Sequence, residues 1–196
     1  MGSRERILAS AEELFYREGV RATSVEEILS HCGVAKSNFY YHFKSKAQVA
    51  LEVLNRQAAE FMERASETLE DTALTPRVRL ERFFESVCAV HARPSGLAGC
   101  PFANLAGTLP HRSRDDAYEP LRMGLCEVFR HIEARLAGCI SEGSVLGEFR
   151  TDISPAELAL VALSCLEGVM LVMKTYSQIN ALESGLTTLR KLICAA

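Results

Sequence analysis

The side chains best suited to chemistry lie between Gly33 and Lys46, in the run GVAKSNFYYHFKSK. Lys36, Lys44 and Lys46 supply ammonium donors, Ser37, Tyr40 and Tyr41 hydroxyls, Asn38 an amide and His42 an imidazole. No Asp or Glu occurs from Ile28 to Leu51. Donors gathered without acids suit a polyanion: lysine donates to guanine, asparagine pairs with adenine, and tyrosine hydroxyls and lysines hold phosphates. The chain as a whole is acidic, with 22 Lys and Arg against 25 Asp and Glu and a net charge of -3, so such a surface is local. Residues 1–46 carry seven basic and six acidic residues, and the remainder fifteen and nineteen. One end of the molecule is therefore the end expected to meet nucleic acid.

The neighbouring residues supply the elements that would position these groups. Ser24-Val25-Glu26-Glu27 has the pattern of a capping box that opens a helix. Ile28 and Leu29 give that helix an apolar side, and Gly33 permits the left-handed backbone that ends it. A second helix of about two turns follows from Ala35 to His42, which completes a helix-turn-helix whose second helix enters the major groove. Thr23 and Ser24 stand at a helix start, where amides and a hydroxyl can hold a phosphate. Phe39 and Phe43 are expected in the core.

Residues 4 to 50 resemble the DNA-binding domain of the TetR family of bacterial transcriptional regulators. The resemblance is carried by Ile7-Leu8, Ala11, Leu14-Phe15, Gly19, Thr23-Ser24-Val25, Ile28, Gly33-Val34, Lys36, Phe39-Tyr40, His42-Phe43 and Ser45-Lys46. Cys32 and Ala35 stand where Ala and Ser are common in the family, and Ser37-Asn38 where Gly-Thr is common. The resemblance implies an all-α fold. Residues 1–46 would form a three-helix DNA-binding head, and residues 47–196 a helical body of about six helices for ligand binding and dimerisation. It implies that Lys36, Ser37, Asn38 and Tyr40 face DNA and that Tyr41, His42 and Lys46 reach phosphates. It further implies a homodimer on a palindromic stretch of double-stranded DNA, acting more often as a repressor than an activator and released by a small-molecule inducer.

The rest of the chain reads as helix after helix, with no repeats, low-complexity tracts or strand alternation. A first helix is expected from Arg4 to Glu18. A second capping box at Ser45 to Gln48 opens a long helix to about Glu70, which would join head to body without a flexible linker. Thr75-Pro76 starts the next helix, and Arg93 to Gly99 reads as a loop. A short helix is expected from Pro101 to Leu109, and a long one from Asp115 to Glu142. Gly143 to Asp152 reads as a loop. Leu158 to Met173 is apolar except for Ser164 and Glu167. An all-round apolar helix is buried on both sides or lies in a membrane, and this stretch falls short of the 20 or so apolar residues a span needs. One face on the core and one on a second subunit is the economical arrangement, with Val161, Ser164 and Gly168 on the outer face. The last helix, from Leu182 to Cys194, repeats Leu182, Leu186, Leu189 and Ile193 at helical spacing and is expected to share the dimer seam.

Residues expected to line a ligand cavity are Phe84, Val87, His91, Cys100, Phe102, Leu105, Met123, Phe129, Cys165 and Met170, a choice that rests on the family. Cys100 precedes Pro101 at a helix start, where the helix dipole favours thiolate, so electrophile sensing is weighed there against plain packing. A similar Gly-Cys-…-Asn-Leu run, here GCPFANLAG, recurs in some regulators of the family. The seven cysteines contain no CxxC pair and read as reduced thiols of a cytoplasmic protein, with no metal and no cofactor. Cys88 and His91 are three apart, but no second ligand pair accompanies them. The charged, amphipathic N-terminus is not expected to act as a secretory leader. GxSxG, HExxH, Walker and dinucleotide motifs are all missing, which leaves an all-helical enzyme as a remote alternative. A ligand-binding protein with a degenerate head is a second alternative, and the intact acid-free cluster speaks against it.

Overall fold

A computed structural model describes residues 1–91, 99–109 and 117–194. Among these, nine helices follow one another: α1 (Ser3–Glu18), α2 (Val25–Cys32), α3 (Lys36–His42), α4 (Lys46–Leu69), α5 (Pro76–His91), α6 (Pro101–Gly107), α7 (Glu119–Val145), α8 (Pro155–Tyr176) and α9 (Asn180–Ile193). The all-α class expected from the sequence is the class observed. The described residues hold no strand beyond one isolated bridge, Phe149 to Cys194. The expected loop at 93–98, the stop at Pro110 and the start at Asp115 fall outside the described residues. α7 runs past Glu142, so Gly143 is helical.

Local signals account for the helix ends. Ser24 and Glu27 form a complete capping box on α2, and Gly33 closes that helix in the left-handed region at φ 63°. Ser154 and Glu157 form another on α8, ahead of Pro155. At α4 the box is displaced: Ser45 accepts from the Gln48 amide at 3.2 Å, but the Gln48 side chain accepts from Lys44 N–H at 2.8 Å.

Packing divides the chain differently from the expected 1–46 and 47–196. One compact unit comprises Met1–Ala59 with Pro101–Glu127, and the other Glu60–Cys100 with Val128–Ala196. The chain therefore passes between units inside α4, at Cys100–Pro101 and inside α7.

The first unit is built on Ile7, Ala11, Phe15, Ile28, Phe39, Phe43 and Val49, all fully or almost fully buried. Ion pairs Arg4–Glu52 and Arg56–Glu5 bind α1 to α4, and the Arg4 guanidinium lies 5.5 Å from the centre of the Phe43 ring. α6 packs on α1. Thr108, just past α6, accepts a hydrogen bond from Val20 N–H at 3.2 Å. Its methyl group lies 2.4 Å from where a Cβ on Gly19 would sit, and Gly19 has φ 86°. Only glycine satisfies both demands.

In the second unit α8 lies along α9, where Gly185 leaves room for Val169. Buried Arg79 donates to the Leu69 carbonyl at 3.1 Å, closing the end of α4, and pairs with Glu142. Leu158, Ala162, Leu166, Met170 and Met173 form the inner side of α8, whereas Leu160, Val161, Leu171 and Val172 are exposed. α8 is long and apolar enough to cross a membrane by length and composition alone, but its inner side is packed in the core of this unit. Leu182, Leu186, Leu189 and Ile193 are at most 3% exposed. They are spent within the chain and are not a free dimer surface. The amphipathic stripe of α9 faces its own unit.

Candidate nucleic-acid interface

α2 and α3 are held by what they bury. Phe39 lies at the centre of α3 and is fully buried, with its ring centroid 5.3 Å from Tyr40 and 5.8 Å from Phe43. That anchor turns Lys36, Ser37, Asn38, Tyr40 and Tyr41 outward, and all five are exposed, Tyr41 at 83%. From α1, Arg6 donates to the carbonyls of Cys32 and Gly33 and so closes the end of α2. No periodicity marks Arg6 for this task, because its partners are backbone atoms.

Four residues expected at DNA are otherwise engaged. Thr23 is fully buried and its hydroxyl donates to the Gly19 carbonyl at 2.9 Å. The Ser24 hydroxyl is committed to Glu27 in the capping box. His42 Nε2 lies 2.8 Å from Ser3 Oγ. Lys46 corrects the sequence reading most clearly. Its Nζ donates to the carbonyls of Val20, at 2.7 Å, and Thr23, and it is half-buried, with its pKa lowered by desolvation. It fastens the turn between α1 and α2. Lys44 is the exposed lysine beside it and forms no ion pair among the described residues.

Lys36 carries a partner that the acid-free segment concealed. Its Nζ donates to Glu26 Oε1 at 2.9 Å, with both side chains exposed. The hydrogen bond lowers the Glu26 pKa and raises that of Lys36.

The expected cavity residues are divided between units: Phe102, Leu105 and Met123 belong to the first, and Phe84, Val87, His91, Cys100, Phe129, Cys165 and Met170 to the second. Met123 is 48% exposed, which removes it as a cavity wall. Phe84 lines a cleft of about 280 Å³ between α5 and α9, with Glu85, Cys88 and Glu183. Cys100 is only 6% exposed, and its thiol is hydrogen-bonded to the Glu167 carboxyl. Burial raises the Glu167 pKa, and Glu167 Oε2 is buried without a hydrogen-bond partner among the described residues. Burial denies the Cys100 thiol the access that electrophile sensing requires, which favours plain packing. Cys126 is exposed. Val161, Ser164 and Gly168 lie exposed on one side of α8, as expected of its outer face.

Residues 7–53 match the family of bacterial regulatory proteins described as tetR, and residues 76–189 match the tetracyclin repressor-like C-terminal domain. The chain belongs to the TetR family. The HTH-type transcriptional repressor DhaR of Mycobacterium sp. (strain GP1) is 27% identical over 184 residues, 94% of this chain and 88% of DhaR. The solved structure of the regulatory protein TetR from Rhodobacter sphaeroides superposes with a TM-score of 0.84 at 26% identity, covering 96% of this chain and 97% of that one. The reduced form of E. coli NemR has the same fold, with a TM-score of 0.84 at 24% identity over 98% of this chain and 96% of NemR. TetR-family regulators bind DNA and small molecules and function as dimers, and the relatives of this chain are regulators rather than enzymes.

Proposed function

We propose that the chain is a cytoplasmic, ligand-responsive repressor that binds a palindromic operator as a homodimer through α3. The observation that carries this reading is the outward row of Lys36, Ser37, Asn38, Tyr40 and Tyr41 on a helix anchored by Phe39. Lysine and asparagine read base edges, and the tyrosines and Lys44 reach phosphates. The exposed side of α8 supplies the dimer contact, because Leu160, Val161, Leu171 and Val172 leave apolar area uncovered beside small Ser164 and Gly168. Two-fold symmetry then sets two recognition helices about 34–36 Å apart, one turn of B-DNA. A ligand in the second unit that favours another conformation spoils that spacing, provided it binds the two states unequally. α4 and α7 each run from one unit into the other and supply a continuous path for that change. Burial of Cys100 favours a reversibly bound inducer over an electrophile.

Selection of duplexes from a random library by the purified protein tests the reading. An inverted repeat with half-sites one helical turn apart is the expected product. Recovery of no consensus, or of a single unrepeated site, would overturn it.

A further inference from the structure

We propose that Glu26 restrains Lys36 and thereby raises the preference of this protein for its operator over unrelated DNA. The inference rests on the reading of α3 as the recognition helix and assigns a specificity role to a residue of α2. Glu26 stands in the first turn of α2 and Lys36 at the first position of α3, and the short turn through Gly33 brings the two side chains to 2.9 Å. The carboxylate is well placed on its own helix, since acids are favoured at a helix N-terminus. That preference for negative charge does not depend on Lys36.

The two kinds of acceptor on DNA meet this pair differently. A phosphate that draws Lys36 away brings a second negative charge towards Glu26, and the repulsion opposes the exchange. Guanine O6 and N7 are neutral and take the ammonium without that penalty. Non-specific binding is almost wholly phosphate binding. Glu26 thus acts mainly against the wrong sequences, which is specificity obtained by repulsion. Without Glu26 the same lysine would hold any phosphate within reach. The Ser24–Glu27 capping box, which secures the start of α2, does not depend on Glu26.

The test compares a duplex selected by the wild-type protein with a shuffled duplex of the same length, titrated over a range of salt. Glu26→Gln is expected to bind the shuffled duplex roughly two- to fivefold more tightly, the scale of an exposed ion pair. Its plot of log affinity against log salt should steepen by about 0.9, the equivalent of one more phosphate neutralised. The selected duplex should gain less, so the ratio of the two affinities falls. In a Lys36→Gln background the same change should leave the ratio untouched. Glu26→Asp keeps the charge in the first turn but draws it back by one methylene, and should lower the ratio as well. An unchanged ratio in Glu26→Gln overturns the restraint, as does a Glu26→Gln effect that persists without Lys36. Failure of the wild-type protein to select any sequence overturns the recognition-helix reading itself and takes the restraint with it.

Discussion

At the scale of single residues, each exposed donor on α3 is expected to carry a base or phosphate contact. Lys36→Ala and Tyr40→Ala should each cost roughly 1–3 kcal/mol of specific binding in a mobility-shift titration, with helicity and dimer unchanged. Lys46 should behave otherwise. Lys46→Met removes the donor to the Val20 and Thr23 carbonyls, so about 1–3 kcal/mol should be lost from stability in urea unfolding, with the salt dependence of binding retained. Glu167 predicts a pH effect. Burial holds its folded-state pKa above the ordinary 4.5. Stability from this group is then fully present below that pH and drains away as pH rises through the folded value. Glu167→Gln should remove the decline above pH 4.5 in a series of urea titrations. Brief limiting iodoacetamide should label exposed Cys126 before buried Cys100 and Cys139, the latter thiol pushed up to about 11 by burial. The types of residue on α3 were legible because lysine, asparagine and tyrosine together imply a polyanion. The engagements of Lys46 and Glu26 were not, because both partners are distant in sequence and two of the acceptors are main-chain carbonyls.

Secondary structure was legible wherever a local cause fixes it. Ser24 with Glu27, Gly33, and Ser154 with Pro155 mark helix ends from side chains within a few residues, and each end is where the signal puts it. Gly143 shows what local reading misses. A glycine in a Gly- and Ser-bearing stretch looks like the opening of a loop, yet it lies inside α7. The buried Phe149 ring comes within 2.1 Å of the place a Cβ would occupy there. The requirement comes from a ring that folds back onto the helix, and no spacing rule announces it. Gly19 is the equivalent case in the first unit. Gly19→Ala should cost about 1–3 kcal/mol through its positive φ, with a further loss from collision with Thr108. Adding Thr108→Gly should restore the steric part, because the Thr108 Cβ itself lies 2.7 Å from the place of the added Cβ, and thermal unfolding of Gly19→Ala, Thr108→Gly and the double variant separates the two.

For the molecule as a whole, the uncovered side of α8 sets the expected assembly. Val161→Asp would place an unpaired charge in a buried seam, which is costly, and sedimentation should show monomer with helicity intact. A stable dimer from that variant would move the interface elsewhere. The apolar run of α8 made two covered sides legible, but α9 misled, because an amphipathic stripe reads the same whether its partner is a neighbouring helix or a second chain. The division of the chain was also hidden, since α6 joins the first unit through Thr108 and not through any neighbour in sequence. That attachment bears on engineering. Transplanting the DNA-reading half of this regulator onto a different sensor, with the cut after residue 46, would strand Gly19 and Val20 opposite a foreign side chain at the place of Thr108. A graft that carries residues 1–59 together with 101–127 brings the matching piece along, so a portable reader made from this protein has to be cut from two separate stretches of the gene.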